Sequence, residues 1–346
     1  MTRVASDLAW EPGVRVDEIG RVGPEEFAAR YAGEYRPVVM RGLAGEWPLV
    51  AAAREGAATA VRHVASFYRG APVKLMRARA EEGGRYFYAP DLRGYNFRVE
   101  QASLASLLDE LMAQAGDAQA DSLYAGSSPT DQHLPGFAGA NPLPLATPGA
   151  SPRIWVGNAS HVSPHYDVSD NIAVVGLGHR RFVLFPPDQT PNLYVGPLDV
   201  TIAGQPVSMV DLRRPDLNRF PRYRRAMDAA LVADLEPGDA IFVPTLWWHG
   251  VIARDPVNIL VNYWYNQPPD GSPFAALLHA MLAIRDLRPG QKAALRTWFE
   301  AYVFADDAGA RGDHLPPYAR GVIGPRSRER TAAIRRFLLQ AVAPPR

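Results

Sequence analysis

The spacing of apolar residues divides the chain into three regions, and the first of them mixes helix and strand patterns. Phe27 and Tyr31 lie one helical turn apart, so the segment 24–35 is predicted to form a helix. The apolar run at 36–44 is predicted to form a buried strand. The same reasoning predicts further elements before residue 121: helices at about 58–69 and 103–114, a strand from Pro72, and an aromatic stretch at 85–97.

The middle region changes from a loop-like pattern to a strand-like one. Residues 122–152 are rich in Gly, Pro, Ser and Asn and show no periodicity, so they are predicted to form a long ordered loop. From Arg153 to Gln267, short β-branched and aromatic segments alternate with Gly, Pro and Asp turns. Because no helical pattern separates these strands, they favour an antiparallel barrel or jelly roll over a Rossmann sheet.

Helical spacing returns after Pro269, in the segments 274–284, 292–304 and 328–342. We therefore predict a mainly β fold with a double-stranded β-helix, the jelly-roll or cupin architecture, at its core. The predicted organisation has three parts: N-terminal α/β elements at 1–121 that pack on the core, the jelly-roll core at 122–267, and a C-terminal helical extension at 268–346.

Composition then limits the chemistry. The 346 residues are 47% apolar and 10% aromatic, which is enough to bury a core. The chain has no cysteine, so any metal must be held by histidine and carboxylate ligands. The net charge is +1, from 37 basic and 36 acidic residues without a basic block, so nucleic acid is not expected as a partner. Without a long apolar run or an apolar leader, the expectation is a cytoplasmic protein with no membrane contact.

Two segments of the β region carry histidines in a chemically informative context. The segment SPHYDVSDN contains His165 and Asp167, and the segment EPGDAIFVPTLWWHGV contains His249. Residues i and i+2 of a strand project from the same face, so His165 and Asp167 can bind one ion, which His249 completes if its strand is adjacent. Two histidines and one carboxylate leave half of an octahedron open, as in non-haem Fe(II) oxygenases. An HxD pair alone is usually a coincidence, so the hypothesis depends on all three residues.

The open coordination positions suit a 2-oxo acid together with O₂. Such an acid can bind a metal through its keto and carboxylate oxygens, and its distal carboxylate then needs a fixed cation. Arg180 follows His165 by 15 residues, and a guanidinium binds a carboxylate through two parallel hydrogen bonds. Arg181 has the opposite strand parity, so only one of these two arginines can face inward, and the sequence leaves open which.

Several blocks of the chain together resemble the cupin-like JmjC oxygenases, which depend on Fe(II) and 2-oxoglutarate, and in particular their asparaginyl hydroxylase branch. The resemblance covers about residues 14–267. It rests on five blocks in the family's order and spacing: RPVVMRGLAGEWP, FYAPDLRGYNF, HYDVSDNIAVVGLGHRRFVLFPPDQTPNLY, LEPGDAIFVPTLWWHGV and VNYWY.

The resemblance implies roles for the candidate residues. His165, Asp167 and His249 would ligate iron. Arg180 stands where the family usually has a lysine that binds the distal carboxylate of 2-oxoglutarate, and both side chains are cations that donate hydrogen bonds.

Four further residues are implied to contact the co-substrate. Asn171 and Asn262 match amides that support it near the metal, and Tyr124 matches a tyrosine whose hydroxyl reaches its carboxylate. The family often has a threonine where this chain has Val162, so the neighbouring Ser163 is the candidate for that hydroxyl contact.

The implied function is a 2-oxoglutarate-dependent dioxygenase that hydroxylates a protein, peptide or amino-acid-like substrate. The preference for hydroxylation over demethylation comes from the resemblance alone. Two alternatives remain open: a metal-binding cupin enzyme that does not use 2-oxoglutarate, and a non-catalytic JmjC-like binding module. The C-terminal helices match the position of a helical extension that dimerises in the asparaginyl hydroxylase. An apolar stripe around Leu278 and Leu282 suits a homodimer or packing onto the barrel equally well.

Overall fold

A computed structural model describes residues 8–117, 119–268 and 270–342. The chain separates between Gln267 and Pro268 into two compact units, which are described in turn. The first unit begins with strands and helices that alternate along the chain. They are β1 (Val14–Arg15), β2 (Asp17–Ile19), α1 (Pro24–Arg30), β3 (Val38–Met40), α2 (Pro48–Glu55), α3 (Ala57–Phe67), β4 (Val73–Ala78), β5 (Phe97–Ala102) and α4 (Leu104–Ala113).

The rest of the first unit is dominated by strands. Its elements are β6 (Ser122–Pro129), α5 (Thr130–His133), α6 (Phe137–Ala140), β7 (Arg153–Gly157), β8 (Ser160–His165), β9 (Asp170–Leu177), β10 (Arg180–Phe185), α7 (Tyr223–Asp228), β11 (Leu231–Leu235), β12 (Ala240–Val243), β13 (Trp248–Ala253) and β14 (Asn258–Tyr265).

These strands form two mixed sheets that face one another, which confirms the predicted jelly-roll core. The smaller sheet has the order β1-β11-β10-β13-β8, and the larger has the order β2-β3-β12-β9-β14-β7-β6-β4-β5. The segment 1–121 contributes strands β1 to β5 to these sheets, in addition to helices α1 to α4. Among the described strands, two pairs are parallel, β1 with β11 and β2 with β3, and the others are antiparallel.

The three largest apolar clusters of the described residues hold the first unit together. One fills the space between the sheets and includes Phe182 and Ile241. A larger one lies between the nine-stranded sheet and the N-terminal helices and includes Leu49 and Leu107. The third covers the outer face of the small sheet and includes Tyr223. The large sheet is thus covered on both faces, which explains why every residue of β9 is buried.

The predicted long loop at 122–152 is wrong, because its first eight residues form β6, which pairs with β4 and β7. The pairing with β7 shifts register between Ala125 and Ser128, and Ser127 has a φ of 54°. This bulge explains the Gly- and Ser-rich composition that resembles a loop. The predicted strand 36–44 shortens to β3, because the chain turns at Gly42, whose φ is 63°. The helix predicted at 24–35 ends at Arg30, and α2 was not predicted.

The second unit contains three helices, α8 (Pro273–Ile284), α9 (Pro289–Phe299) and α10 (Arg328–Val342), close to the predicted segments. No residue of these helices is buried. Their exposed large apolar side chains are Leu277, Leu278, Leu282, Trp298, Phe337, Leu338, Leu339 and Val342. In the part of the chain that the structure describes, no helix combines the length and apolar character that a membrane span requires.

Candidate metal centre

Two adjacent strands of the small sheet bring His165 and His249 together. His165 is the last residue of β8, and its direct partner across the antiparallel pairing is His249 of β13. The centroids of the two imidazole rings are 4.4 Å apart. One ligand atom from each of His165, His249 and Asp167 lies within 4.8 Å of the others. The structure therefore unites all three predicted metal ligands.

The position of Asp167 differs from the prediction. Strand β8 ends at His165, so Asp167 lies in the turn before β9 instead of sharing a strand face with the histidine. Its backbone carbonyl accepts a hydrogen bond of 2.8 Å from the Leu246 amide, which ties this turn to the turn before β13. The two turns are also joined by Asp170, whose carboxylate accepts from the backbone and hydroxyl of Thr245. Both ligand-bearing segments are therefore fixed to each other.

Backbone carbonyls set the orientation of both imidazole rings. Nδ1 of His165 lies 3.0 Å from the Ser163 carbonyl, and Nδ1 of His249 lies 3.0 Å from the Trp247 carbonyl. Each Nδ1 must carry the proton to donate to a carbonyl, which leaves each Nε2 lone pair free for a metal. Burial, together with the neighbouring His249, lowers the pKa of His165 to about 4, so its ring is neutral at pH 7.

Two hydrogen bonds fix the carboxylate of Asp167. Its Oδ2 accepts from the Trp264 indole at 2.9 Å and from the Asn171 amide at 3.1 Å. The same oxygen lies 3.7 Å from Nε2 of His249. The carboxylate is thus held in place on the side facing the histidine. This donor set, two imidazole nitrogens and one carboxylate, fits a non-haem Fe(II) site.

The three residues open into a cavity of about 140 Å³ between the two sheets. All the residues that the sequence suggested for co-substrate binding line it. Val162 and Ser163 both reach it, because the β8–β13 pairing shifts register beside them, between His249 and Val251. The polar lining residues are Tyr86, Tyr124, Ser163, Asn171, Arg180, Gln205 and Asn262, besides the three candidate ligands.

The structure resolves the alternative between Arg180 and Arg181. Arg180 is 3% exposed and lines the cavity. Arg181 faces the other way and is paired with Asp234, at 2.8 Å and 3.0 Å. Burial lowers the pKa of Arg180, and the neighbouring Tyr124 partly opposes this shift. Burial raises the pKa of Tyr124 in turn, and Arg180 partly opposes that.

Two buried polar atoms in this cavity have no hydrogen-bond partner in the described structure: Nε of Arg180 and Oγ of Ser163. Buried polar groups are almost always hydrogen-bonded, and an unmet one costs about 1–3 kcal/mol, so such atoms indicate a missing ligand or water. A guanidinium and a hydroxyl are both donors. The inner part of the cavity therefore fits an anionic, oxygen-bearing ligand such as a carboxylate.

Sequence reasoning missed some of the residues that shape the site. Trp155 and Trp264 line the cavity and meet edge to face at 5.8 Å. Trp264 lies two residues after Asn262 on β14, so strand parity could have placed it on the same face.

The cover hairpin, residues 194–209, was also missed. Four of its residues reach the cavity: Ile202, Ala203, Gln205 and Val207. Its outer part is held by the hydroxyls of Tyr88 and Tyr95, which donate to backbone carbonyls of the hairpin at 2.6 Å and 2.7 Å. Its sequence contains no strong strand pattern, so only the tertiary structure shows that it covers the site.

Comparison with known proteins agrees with this architecture. The family described as cupin-like domain matches residues 24–271. HSPB1-associated protein 1 of Homo sapiens is 36% identical over 138 residues, which are 39% of this chain and 26% of that protein. Lysine-specific demethylase JMJ31 of Arabidopsis thaliana is 32% identical over 117 residues, which are 34% of this chain and 21% of that protein. tRNA wybutosine-synthesizing protein 5 of Mus musculus is 24% identical over 283 residues, 75% of this chain and 81% of that protein.

The first two relatives are therefore matched over only about a quarter of their own length. The family match, in contrast, extends over most of this chain and includes all three candidate metal ligands. The chain belongs to the cupin-like domain family and is a JmjC-type member of it.

Proposed function

We propose that this protein is an Fe(II)- and 2-oxoglutarate-dependent dioxygenase that hydroxylates its substrate. One observation carries the proposal: the two imidazoles and the carboxylate meet in a cavity that also contains a buried arginine with an unpaired Nε. Such a triad is typical of Fe(II) oxygenases, and the arginine supplies what a 2-oxo diacid requires in addition.

His165, Asp167 and His249 would hold the iron. Bound iron supplies the activation of O₂ that couples oxidative decarboxylation of 2-oxoglutarate to oxidation of the substrate. One oxygen atom goes into the succinate carboxylate and the other into the hydroxyl group of the product, with release of CO₂. The protein's part is to present three ligands on one side and to exclude water under the cover hairpin.

Arg180 would bind the distal carboxylate of 2-oxoglutarate, with Tyr124 and Ser163 as further donors. The arginine is buried, so its attraction for the carboxylate is little screened by solvent. Asn171 and Asn262 line the same cavity and would support the co-substrate near the metal. A cupin enzyme without a 2-oxo acid would have no use for a buried cation here. A binding module without turnover would not need to keep three oriented ligands.

The lining of the cavity favours a substrate with a neutral side chain. Besides the two histidines, the acidic and basic side chains among the described lining residues are Asp167 and Arg180, and both have roles in the proposed centre. The cavity-lining residues that the cover hairpin contributes are apolar or neutral: Ile202, Ala203, Gln205 and Val207. Burying a cationic side chain without a counter-charge is unfavourable, which argues for hydroxylation of a neutral protein, peptide or amino-acid-like group over demethylation of a methylated lysine.

The proposal predicts 2-oxoglutarate turnover. Protein loaded with Fe(II) in the presence of ascorbate should form succinate and CO₂ from 2-oxoglutarate in equal amounts, even when no substrate for hydroxylation is added. The 2-oxoglutarate analogue N-oxalylglycine should inhibit this turnover, and a chelator should abolish it until iron is restored. Peptides with neutral side chains should stimulate it more than methyl-lysine peptides do. Bound iron without any succinate would instead support the non-catalytic module, and metal-dependent turnover of other substrates would support a cupin that uses no 2-oxo acid.

We also propose that the helical unit forms a homodimer. Its three helices bury no residue, and a helical bundle without a buried core is not stable alone. Leu282 is 77% exposed and Phe337 is 67% exposed. In a two-fold symmetric dimer both chains contribute the same apolar surface. A second copy of this chain therefore offers a surface that matches these exposed helices in apolar character.

The dimer is tested by light scattering on the full chain. Wild type should have twice the monomer mass of 37.9 kDa. Replacing Leu282 and Phe337 together by Glu should give monomers, since each change counts twice in a symmetric interface and burying one such side chain contributes about 1.5–3 kcal/mol. Val99→Glu, at a 48% exposed position of β5, is the control and should remain dimeric. A monomeric wild type at micromolar concentration would refute the dimer.

A further inference from the structure

A chain of hydrogen bonds crosses three neighbouring strands of the large sheet and ends on the candidate ligand Asp167. The Trp155 indole on β7 donates to Oδ1 of Asn262 at 2.7 Å. The Asn262 amide on β14 donates to Oδ1 of Asn171 at 3.2 Å. The Asn171 amide on β9 donates to Oδ2 of Asp167 at 3.1 Å, and the Trp264 indole donates to the same oxygen at 2.9 Å.

Trp155 fixes the donor-to-acceptor direction of this series of hydrogen bonds. An asparagine amide can turn over and exchange its donor for its acceptor, but an indole N–H can only donate. Trp155 therefore holds the carbonyl side of Asn262 towards itself. The NH₂ of Asn262 must then face Asn171, and the NH₂ of Asn171 must face Asp167. Asn171 and Asn262 are 6% and 2% exposed, so water does not readily substitute for these partners.

Asp167 needs such support more than the two histidines do. His165 and His249 lie on paired strands and are oriented by backbone carbonyls. Asp167 lies in a turn outside the sheet pairing, and its carboxylate is free to rotate about the Cβ–Cγ bond unless it is hydrogen-bonded. In the part of the chain that the structure describes, its side chain accepts hydrogen bonds from Asn171 and Trp264, which both belong to the large sheet, the one opposite the histidines.

We infer that Trp264 and Trp155 are positioning residues for the metal ligand Asp167. Trp264 acts directly on the carboxylate, and Trp155 acts at a distance by setting the direction of the two amides. The inference rests on the proposed iron site, and it gives Asn171 and Asn262 a role in holding the ligand in addition to any contact with 2-oxoglutarate. The large sheet thereby orients the carboxylate that completes the metal site, whose two histidines belong to the small sheet.

Metal titration of the full chain tests this inference without relying on turnover. Trp264→Phe keeps a ring against Trp155 but removes the donor, so Mn(II) and Co(II) should bind about 10–100-fold more weakly by calorimetry. The visible absorption spectrum of bound Co(II) should also change, because the carboxylate geometry changes. Trp155→Phe removes only the remote donor and should weaken binding by about 2–10-fold, the value of one hydrogen bond.

Trp47→Phe is the matched control. Trp47 is 2% exposed, its indole donates to the Pro142 carbonyl at 2.7 Å, and it does not line the cavity. This variant should lose a comparable amount of stability but bind Mn(II) and Co(II) like wild type, with the same Co(II) spectrum. If Trp264→Phe matches this control in affinity and spectrum, the inference is wrong. If the wild type itself binds neither metal, the proposed function fails instead.

Discussion

An Asp167→Ala variant should lose Fe(II) and Mn(II) binding and form no succinate above background. The substitution removes the only carboxylate among the cavity-lining residues that the structure describes. Two imidazoles would remain, and their nitrogen lone pairs attract a dication far less than a carboxylate does. At about 4 Å and an effective dielectric constant near 20, one pair of unit charges contributes about 4 kcal/mol, so a loss of at least a hundredfold in affinity is expected.

The fold should survive this change. Asp167 accepts hydrogen bonds from Trp264 and Asn171, and its removal leaves these two donors unpaired at a cost of about 1–3 kcal/mol each. The unfolding temperature of the metal-free protein should therefore fall only by several degrees. Asp109→Ala, at an exposed position of α4, is the control and should keep both metal binding and turnover. Undiminished turnover in the Asp167 variant would show that the metal is held elsewhere.

The three candidate metal ligands illustrate how far the sequence could predict this site. Spacing and strand parity select His165, Asp167 and His249, and the structure brings these three side chains together. The location of Asp167 in a turn did not follow, because strand ends depend on pairing partners that are distant in sequence. Parity also failed at Val162 and Ser163, which both reach the cavity, because a bulge at the β8–β13 pairing changes the alternation.

The sequence likewise predicts some elements of the fold and not others. Short apolar strands between turn residues predicted the jelly roll, and helical spacing predicted the three C-terminal helices, because these patterns are local. The sequence predicts a loop where β6 lies, since the pairing of this strand with β4 and β7 is not evident from its own composition. The roles of Trp155 and Trp264 depend on hydrogen bonds across three strands, which no single segment encodes.

The choice between Arg180 and Arg181 also required the structure. Strand parity allows only one of these two arginine side chains to face inward. The neighbouring strand β11 determines that it is Arg180. Asp234 on β11 pairs directly with Arg181 across the β10–β11 pairing and holds it on the outer face. Arg180 is thereby directed into the cavity, where burial lowers its pKa and the neighbouring Tyr124 partly opposes this shift.

An Arg180→Met variant should bind 2-oxoglutarate at least about 30-fold more weakly, because truncating one member of a buried, hydrogen-bonded charge pair costs roughly 2–5 kcal/mol. Calorimetry on Mn(II)-loaded protein measures this affinity, and the KM for 2-oxoglutarate should rise in parallel. Without co-substrate, the same change removes a buried cation that has an unpaired Nε, so the unfolding temperature should stay the same or rise. Arg180→Lys should be intermediate, since it keeps the charge but loses the second parallel hydrogen bond.

An Arg181→Met variant should show the opposite pattern, with lower stability and unchanged 2-oxoglutarate affinity. It breaks the ion pair with Asp234, so it should lower the unfolding temperature, and it leaves the cavity lining intact, so 2-oxoglutarate affinity should not change. Affinity and stability thus respond to different arginines although the two residues are adjacent in sequence. The assignment of Arg180 would be overturned if its Met variant bound 2-oxoglutarate like wild type. If the Arg181 variant then showed the weaker binding, the co-substrate would have to lie on the outer face of β10.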